Sequence, residues 1–166
     1  VEDGETRRSY GELLDRVDRL ASVLLSRGVA PGDRIAILSH NRVEYLELEL
    51  AAAGIGAIVA CLNWRLVASE IEHCVRLADP KLLFASTRHA GLAAAIDTAG
   101  AVVMSIDDGL ASLAASGPDS QPPNEDPEAG LLLLYTSGTT GLPKAALISQ
   151  RAEIARMTVL RMDMNI

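Results

Sequence analysis

The stretch richest in reactive groups runs Thr136-Ser137-Gly138-Thr139-Thr140-Gly141-Leu142-Pro143-Lys144. Gly138 and Gly141 permit backbone conformations closed to other residues, so successive N–H groups can turn inward on an anion. Thr136, Ser137, Thr139 and Thr140 add hydroxyl donors. Lys144 adds a full positive charge on a flexible stem. A polyphosphate needs this mixture, and charge-assisted hydrogen bonds contribute roughly 1.5–3 kcal/mol each. Pro143 pushes Leu142 toward extended geometry, which leaves Gly141 as the natural site of a positive-φ turn.

A Walker-type P-loop, G-x-x-x-x-G-K-[ST], fits poorly. Counted from Gly138, the required Gly is Pro143 and the required Ser or Thr is Ala145. A Walker loop also opens a helix, whereas Ala145-Ala146-Leu147-Ile148-Ser149 reads as a strand. The remaining alternative is a Ser/Thr/Gly surface loop without a ligand. The density of hydroxyls and glycines between two apolar runs speaks against it.

The elements that must hold this loop alternate. Tyr10, Leu13, Leu14, Val17, Leu20, Ala21, Leu24 and Leu25 recur at three and four, which predicts a helix with Ser9 and Glu12 as capping box and Gly28 at its end. Arg34–Leu38 reads as a short buried strand, Glu44–Gly54 as a helix and Ala57–Cys61 as a strand. Ser69 and Glu72 suggest a second capping box, opening a helix that ends near Asp79-Pro80. Lys81–Ala85 reads as a strand, Leu92–Ala99 as a helix and Ala101–Ile106 as a strand. Leu131–Tyr135 is a continuous apolar run, the mark of a strand buried on both faces. This rhythm predicts an α/β fold with a mostly parallel sheet and helices on both faces. The expected organisation is an amino-terminal subdomain over 1–115, a linker loop over 116–129 and a strand–loop–strand–helix unit over 130–166. The linker carries four of the seven prolines, four acids and no Lys or Arg.

Composition narrows the partners. Apolar residues make up 49% and charged residues 22%, a globular balance. The net charge of −7, from 22 acids and 15 bases, argues against a nucleic-acid partner, and the sequence has no cluster of Lys and Arg for phosphate contacts. No apolar run is long enough to span a bilayer. The opening Val1-Glu2-Asp3-Gly4-Glu5 shows neither a basic start nor an apolar run, so no signal peptide is read there. A cytoplasmic location is expected because two cysteines in apolar surroundings fit a reducing compartment. Cys61 and Cys74 are expected as buried free thiols, and His40, His73 and His89, which lack metal-ligand spacing, as ordinary polar residues.

Tyr135-Thr-Ser-Gly-Thr-Thr-Gly-Leu-Pro-Lys144 resembles the phosphate-binding signature of the adenylate-forming (AMP-binding) superfamily, of the acyl-CoA synthetase type. Ser9-Tyr10-Gly11-Glu12-Leu13 is similar to the family's first-helix opening, and Gly32-Asp33-Arg34-Ile35-Ala36 to its first strand. Leu62-Asn63-Trp64-Arg65-Leu66 resembles its Leu-Asn-Pro-Arg-Leu segment, with Trp64 in place of Pro. Two departures follow the loop: Ala145 stands where the family usually has Gly, and Gln150 where a His is frequent.

The resemblance implies an AMP-forming acid–thiol ligase. A carboxylic acid would attack the α-phosphorus of ATP, release pyrophosphate, and pass as acyl-adenylate to a thiol, CoA by the resemblance of Leu62–Leu66. Thr136, Ser137, Gly138, Thr139, Thr140, Gly141 and Lys144 would hold the β- and γ-phosphates, with Lys144 stabilising the leaving pyrophosphate. In the family the adenine motif, the Mg2+-associated Glu, the ribose-binding Asp and the adenylation Lys lie downstream. The chain is therefore expected to be an amino-terminal fragment, inactive alone. A non-catalytic nucleotide- or anion-binding module, or a structural domain with a vestigial loop, are the other readings.

Overall fold

The computed structural model describes residues 1–4, 6–107, 110, 124–136 and 141–164. The chain opens with a small hairpin, β1 (Glu2–Asp3) and β2 (Thr6–Arg7), then α1 (Tyr10–Ser26). There follow β3 (Arg34–Leu38), α2 (Val43–Gly54), β4 (Ile58–Cys61), α3 (Ala68–Ala78) and β5 (Leu82–Ala85). A 3-10 turn, Thr87–His89, leads into α4 (Ala90–Ala95) and β6 (Val102–Ser105). β7 (Gly130–Thr136), β8 (Lys144–Ser149) and α5 (Gln150–Met164) complete the order.

Six strands form one sheet in the order β6-β5-β3-β4-β7-β8. The first five are parallel, and β8 runs antiparallel to β7 along one edge. The period-two alternation of β3 divides the core: Ile35 and Ile37 join the cluster of α1 and α2, whereas Ala36 and Leu38 join that of α3 and α4. Helices therefore cover both faces. β7 and β8 belong to the same sheet as the strands before the proline-rich segment, of which residues 116–123 lie outside the described residues. Beyond them, the Asn124 N–H donates to Gly54 O at 2.6 Å, docking the chain at the end of α2.

Several local expectations need correction. The Ser9–Glu12 box forms as read: Ser9 Oγ accepts from Glu12 N at 3.2 Å, and Glu12 accepts from Ser9 N at 2.7 Å. Tyr10 and Leu14, assigned to the apolar stripe, are exposed, because the face buried against α2 centres on Leu13, Val17, Leu20 and Leu24. The box at Ser69 and Glu72 is not the one used. α3 starts earlier, and Glu70 reaches back to the Val67 N–H at 3.2 Å. Glu72 instead accepts from Asp97 N. α4 also lies earlier than Leu92–Ala99, because the chain turns extended at Ile96. β7 is buried only over Leu131 and Leu132; Leu134 is 41% exposed. Its apolar run is thus not buried on both faces throughout.

Charged groups knit the elements together. The Glu47 carboxylate, fully buried on α2, accepts from Arg16 Nε at 2.6 Å and Nη2 at 2.8 Å and pairs with Arg8 Nε at 2.9 Å. A buried carboxylate persists only with such partners. Asp3 caps α2 from outside, accepting from Val43 N at 3.0 Å. Gly130 packs closely: a Cβ there would stand 2.9 Å from both Ile58 Cδ1 and Leu147 Cδ1, and those side-chain ends would have to shift.

Candidate functional site

Parallel strands deliver their outgoing loops to one edge of a sheet, and ligands of such sheets bind outside that carboxyl edge. Here β3, β4, β5 and β7 all end there. β7 ends at Thr136, and β8 begins at Lys144 directly opposite it in the antiparallel ladder. Thr136 and Lys144 therefore form the mouth of a hairpin whose connection is residues 137–143. Both are exposed. The Lys144 side chain forms no hydrogen bond or ion pair with the described residues.

Gly141 adopts φ +92°, with no atom within 4 Å of where a Cβ would stand. The left-handed turn anticipated before Pro143 is present. The backbone demands glycine here for conformation and not for space. Of the other candidate residues, Ser137, Gly138, Thr139 and Thr140 lie outside the described residues.

The flanks of the loop rest on α3. The Tyr135 hydroxyl donates to Cys74 O at 2.9 Å. His73 Nε2 meets Pro143 O at 3.0 Å; a carbonyl only accepts, so Nε2 carries the proton. Burial raises the phenol pKa of Tyr135, which keeps the hydroxyl a donor. Spacing alone reads His73 as an ordinary polar residue, because its partner lies 70 residues away in the chain. The departure at Gln150 is accounted for locally: its Nε2 donates to Ala53 O at 3.0 Å and fastens the start of α5 to α2.

A second group gathers at the carboxyl ends of β3, β4 and β5, around a recess of about 480 Å³ lined in part by Ser39, His40, Asn41 and Trp64. The Trp64 ring lies 5.4 Å from that of His89. The Arg65 and Arg88 guanidinium carbons stand 4.8 and 5.8 Å from its centroid. His89 Nδ1 is 2.7 Å from Ser86 Oγ. Burial, and then the charges of Arg88 and His40, lower the His89 pKa from its ordinary value. Single-position spacing gave no sign of this cluster, which the topology assembles from three loops. Among the described residues, no three His, Cys, Asp or Glu side chains come together as a metal site. None of the helices among them is long and apolar enough to cross a membrane. Both cysteines are free thiols; Cys74 is buried and Cys61 half-buried.

Comparison with known proteins gives consistent matches. A family model described as AMP-binding enzyme matches residues 1–165. A feruloyl-CoA synthase of Amycolatopsis sp. is 37% identical over 149 residues, 90% of this chain and 30% of the relative. An indoleacetate–CoA ligase of Aromatoleum aromaticum is 39% identical over 155 residues, 87% of this chain and 30% of the relative. The crystal structure of ATP-bound MatB from Rhodopseudomonas palustris superposes with a TM-score of 0.80 at 31% identity, covering 95% of this chain and 32% of that one. The chain thus spans about 30% of the length of these curated relatives.

Proposed function

The chain belongs to the AMP-binding enzyme family, and from that membership we propose that it is the amino-terminal portion of an ATP-dependent carboxylate–CoA ligase. The carboxylate of an organic acid attacks the α-phosphorus of ATP and expels pyrophosphate; the CoA thiol then displaces AMP from the acyl-adenylate. In this reading Thr136, Ser137, Gly138, Thr139, Thr140, Gly141 and Lys144 cradle the β- and γ-phosphates. Their work is to position the polyphosphate and to offset the charge growing on the leaving pyrophosphate, the main devices of phosphoryl chemistry. None is a nucleophile.

The observation that carries the reading is the hairpin mouth. Lys144 lies across from Thr136 at the carboxyl edge of the sheet, with Gly141 in a left-handed turn between them. The likeness of the chain to a protein solved with ATP bound supports the reading. Mg2+ would travel with the phosphates. The described residues contain no carboxylate cluster to hold it, and the loop's hydroxyls, amides and ammonium are donors suited to an anion.

Replacing Lys144 tests the assignment. In the intact enzyme, Lys144→Ala removes one charge-assisted contact, and adenylation is expected to slow about 10- to 150-fold. Thioester formation from preformed acyl-adenylate should change far less, because pyrophosphate has already departed. Single-turnover measurement of the two half-reactions separates them. Equal slowing of both would contradict the role.

A further inference from the structure

We propose that α3 is the positioning platform of the phosphate-binding loop, with His73 and Tyr135 as the residues that fix the loop's two ends to it. The inference rests on the functional reading above. Its basis is a pair of contacts to neighbouring residues of one helix. At the entry, the Tyr135 hydroxyl donates to Cys74 O at 2.9 Å. At the exit, His73 Nε2–H donates to Pro143 O at 3.0 Å. Tyr135 directly precedes Thr136 and Pro143 directly precedes Lys144, so each anchor is one residue from a donor of the cradle.

The platform is rigid. Ile71, Cys74 and Val75 of α3 are fully buried in the core cluster beneath β3, β4 and β5. A hairpin end on an edge strand is otherwise held only by its own ladder, and β8 is the sheet's outermost strand. β7 pairs with β4 at Leu132 and Leu133, so beyond those residues the ladder ties β8 to β7 but does not itself tie the hairpin end to the rest of the sheet. Two anchors to one buried helix supply that tie and refer Thr136 and Lys144 to a common frame. Binding several phosphate oxygens at once requires donors held within about 0.5 Å of their places. Pro143 suits the exit anchor: its ring fixes φ, which narrows the conformations from which its carbonyl is presented.

His73 touches no phosphate in this arrangement. It acts through Pro143, and its substitution should alter polyphosphate binding while sparing ligands that do not reach the loop. The experiment titrates the intact protein with MgATP and with AMP, for wild type, His73→Gln, His73→Leu, Tyr135→Phe and Lys144→Ala. His73→Gln keeps an N–H donor near the Nε2 position, and His73→Leu keeps bulk without a donor. The expected result is an ATP dissociation constant raised about 3- to 10-fold in His73→Leu and in Tyr135→Phe, each for one lost neutral hydrogen bond. His73→Gln should stay within about twofold of wild type, and AMP affinity should be unchanged throughout.

Unchanged ATP affinity in both His73→Leu and Tyr135→Phe, alongside weakened binding in Lys144→Ala, overturns the platform and leaves the loop's role standing. Equal loss of ATP and AMP affinity, or equal loss in His73→Gln and His73→Leu, overturns it in favour of a general structural role. Unchanged ATP affinity in Lys144→Ala overturns the functional reading itself, and the platform's purpose with it. Should His73→Leu fail to fold, Tyr135→Phe, which removes a single hydroxyl, decides alone.

Discussion

At the residue scale the site divides into what neighbours in sequence determine and what they do not. Gly141 was legible because its cause is local: Pro143 constrains Leu142, and the chain must turn before it. The observed φ of +92° is a conformation that costs a β-branched residue on the order of 1–3 kcal/mol. Gly141→Val should therefore relax toward negative φ and redirect the loop amides. An ATP affinity lower by about 5- to 50-fold is expected, with a melting temperature close to wild type because a Cβ there meets nothing within 4 Å. A calorimetric titration with an unperturbed dissociation constant would remove the backbone cradle from the account. His73 was illegible for the opposite reason. Its hydrogen bond to Pro143 joins residues 70 apart, and no spacing rule encodes such a meeting. The same holds for Trp64, whose indole meets His89 and Arg88 only after three strands have lined up.

At the scale of elements, strands were the better determined. Arg34–Leu38 came out with the bounds read from its apolar run, because a short apolar stretch between turn residues has few alternatives. Helix starts fared worse. The Ser69–Glu72 spacing reads as the start of α3, but the helix begins at Ala68 with Glu70 accepting from the Val67 N–H, which leaves Ser69 and Glu72 inside it; a Val at the N-cap carries no capping signal to read. The loop after β5 shows what fixes such segments. Asp107 accepts from Thr87 N at 2.6 Å and pairs with Arg42, which also donates to Glu44 at 2.7 Å. The Thr87 amide first, and Arg42 after it, hold the Asp107 carboxyl down at about 2, against an ordinary 3.8. A depressed carboxylate pKa stabilises the fold above the unfolded value, and that stabilisation disappears as pH falls through the folded one. Asp107→Asn should therefore lower the melting temperature at pH 7 by about 2–4 °C, a modest figure because the side chain is partly solvated. The difference should shrink between pH 4 and pH 2. Melting curves that stay equally far apart at pH 2.5 would show that the Asp107 charge is not what matters.

At the scale of the whole molecule, the centre of the sheet and its β8 edge are unlike. The centre is covered on both faces, whereas α5 has no buried residue, and Ile154, Met157, Val159 and Met162 on it are each more than half exposed. Leu134 and Leu147 extend this apolar surface onto β7 and β8. The hairpin mouth formed by Thr136 and Lys144 stands at the same edge. Polyphosphate donors alone do not make an adenylating enzyme. The reaction also requires the adenine and ribose to be held and a cation at the α-phosphate. Bringing all these together supplies on the order of 7–11 kcal/mol of the barrier reduction. The 166 residues span about 30% of the length of relatives that form acyl-CoA products. We therefore expect residues 1–166 alone to catalyse no carboxylate-dependent exchange of labelled pyrophosphate into ATP, with Mg2+ and a panel of aromatic and fatty acids supplied. Weak pyrophosphate binding should survive and fade with added salt, because the charge of Lys144 is exposed and screened within about 10 Å at 0.1 M ionic strength. Exchange by the purified 166-residue chain, abolished by Lys144→Ala, would show that the catalytic parts are already assembled within it.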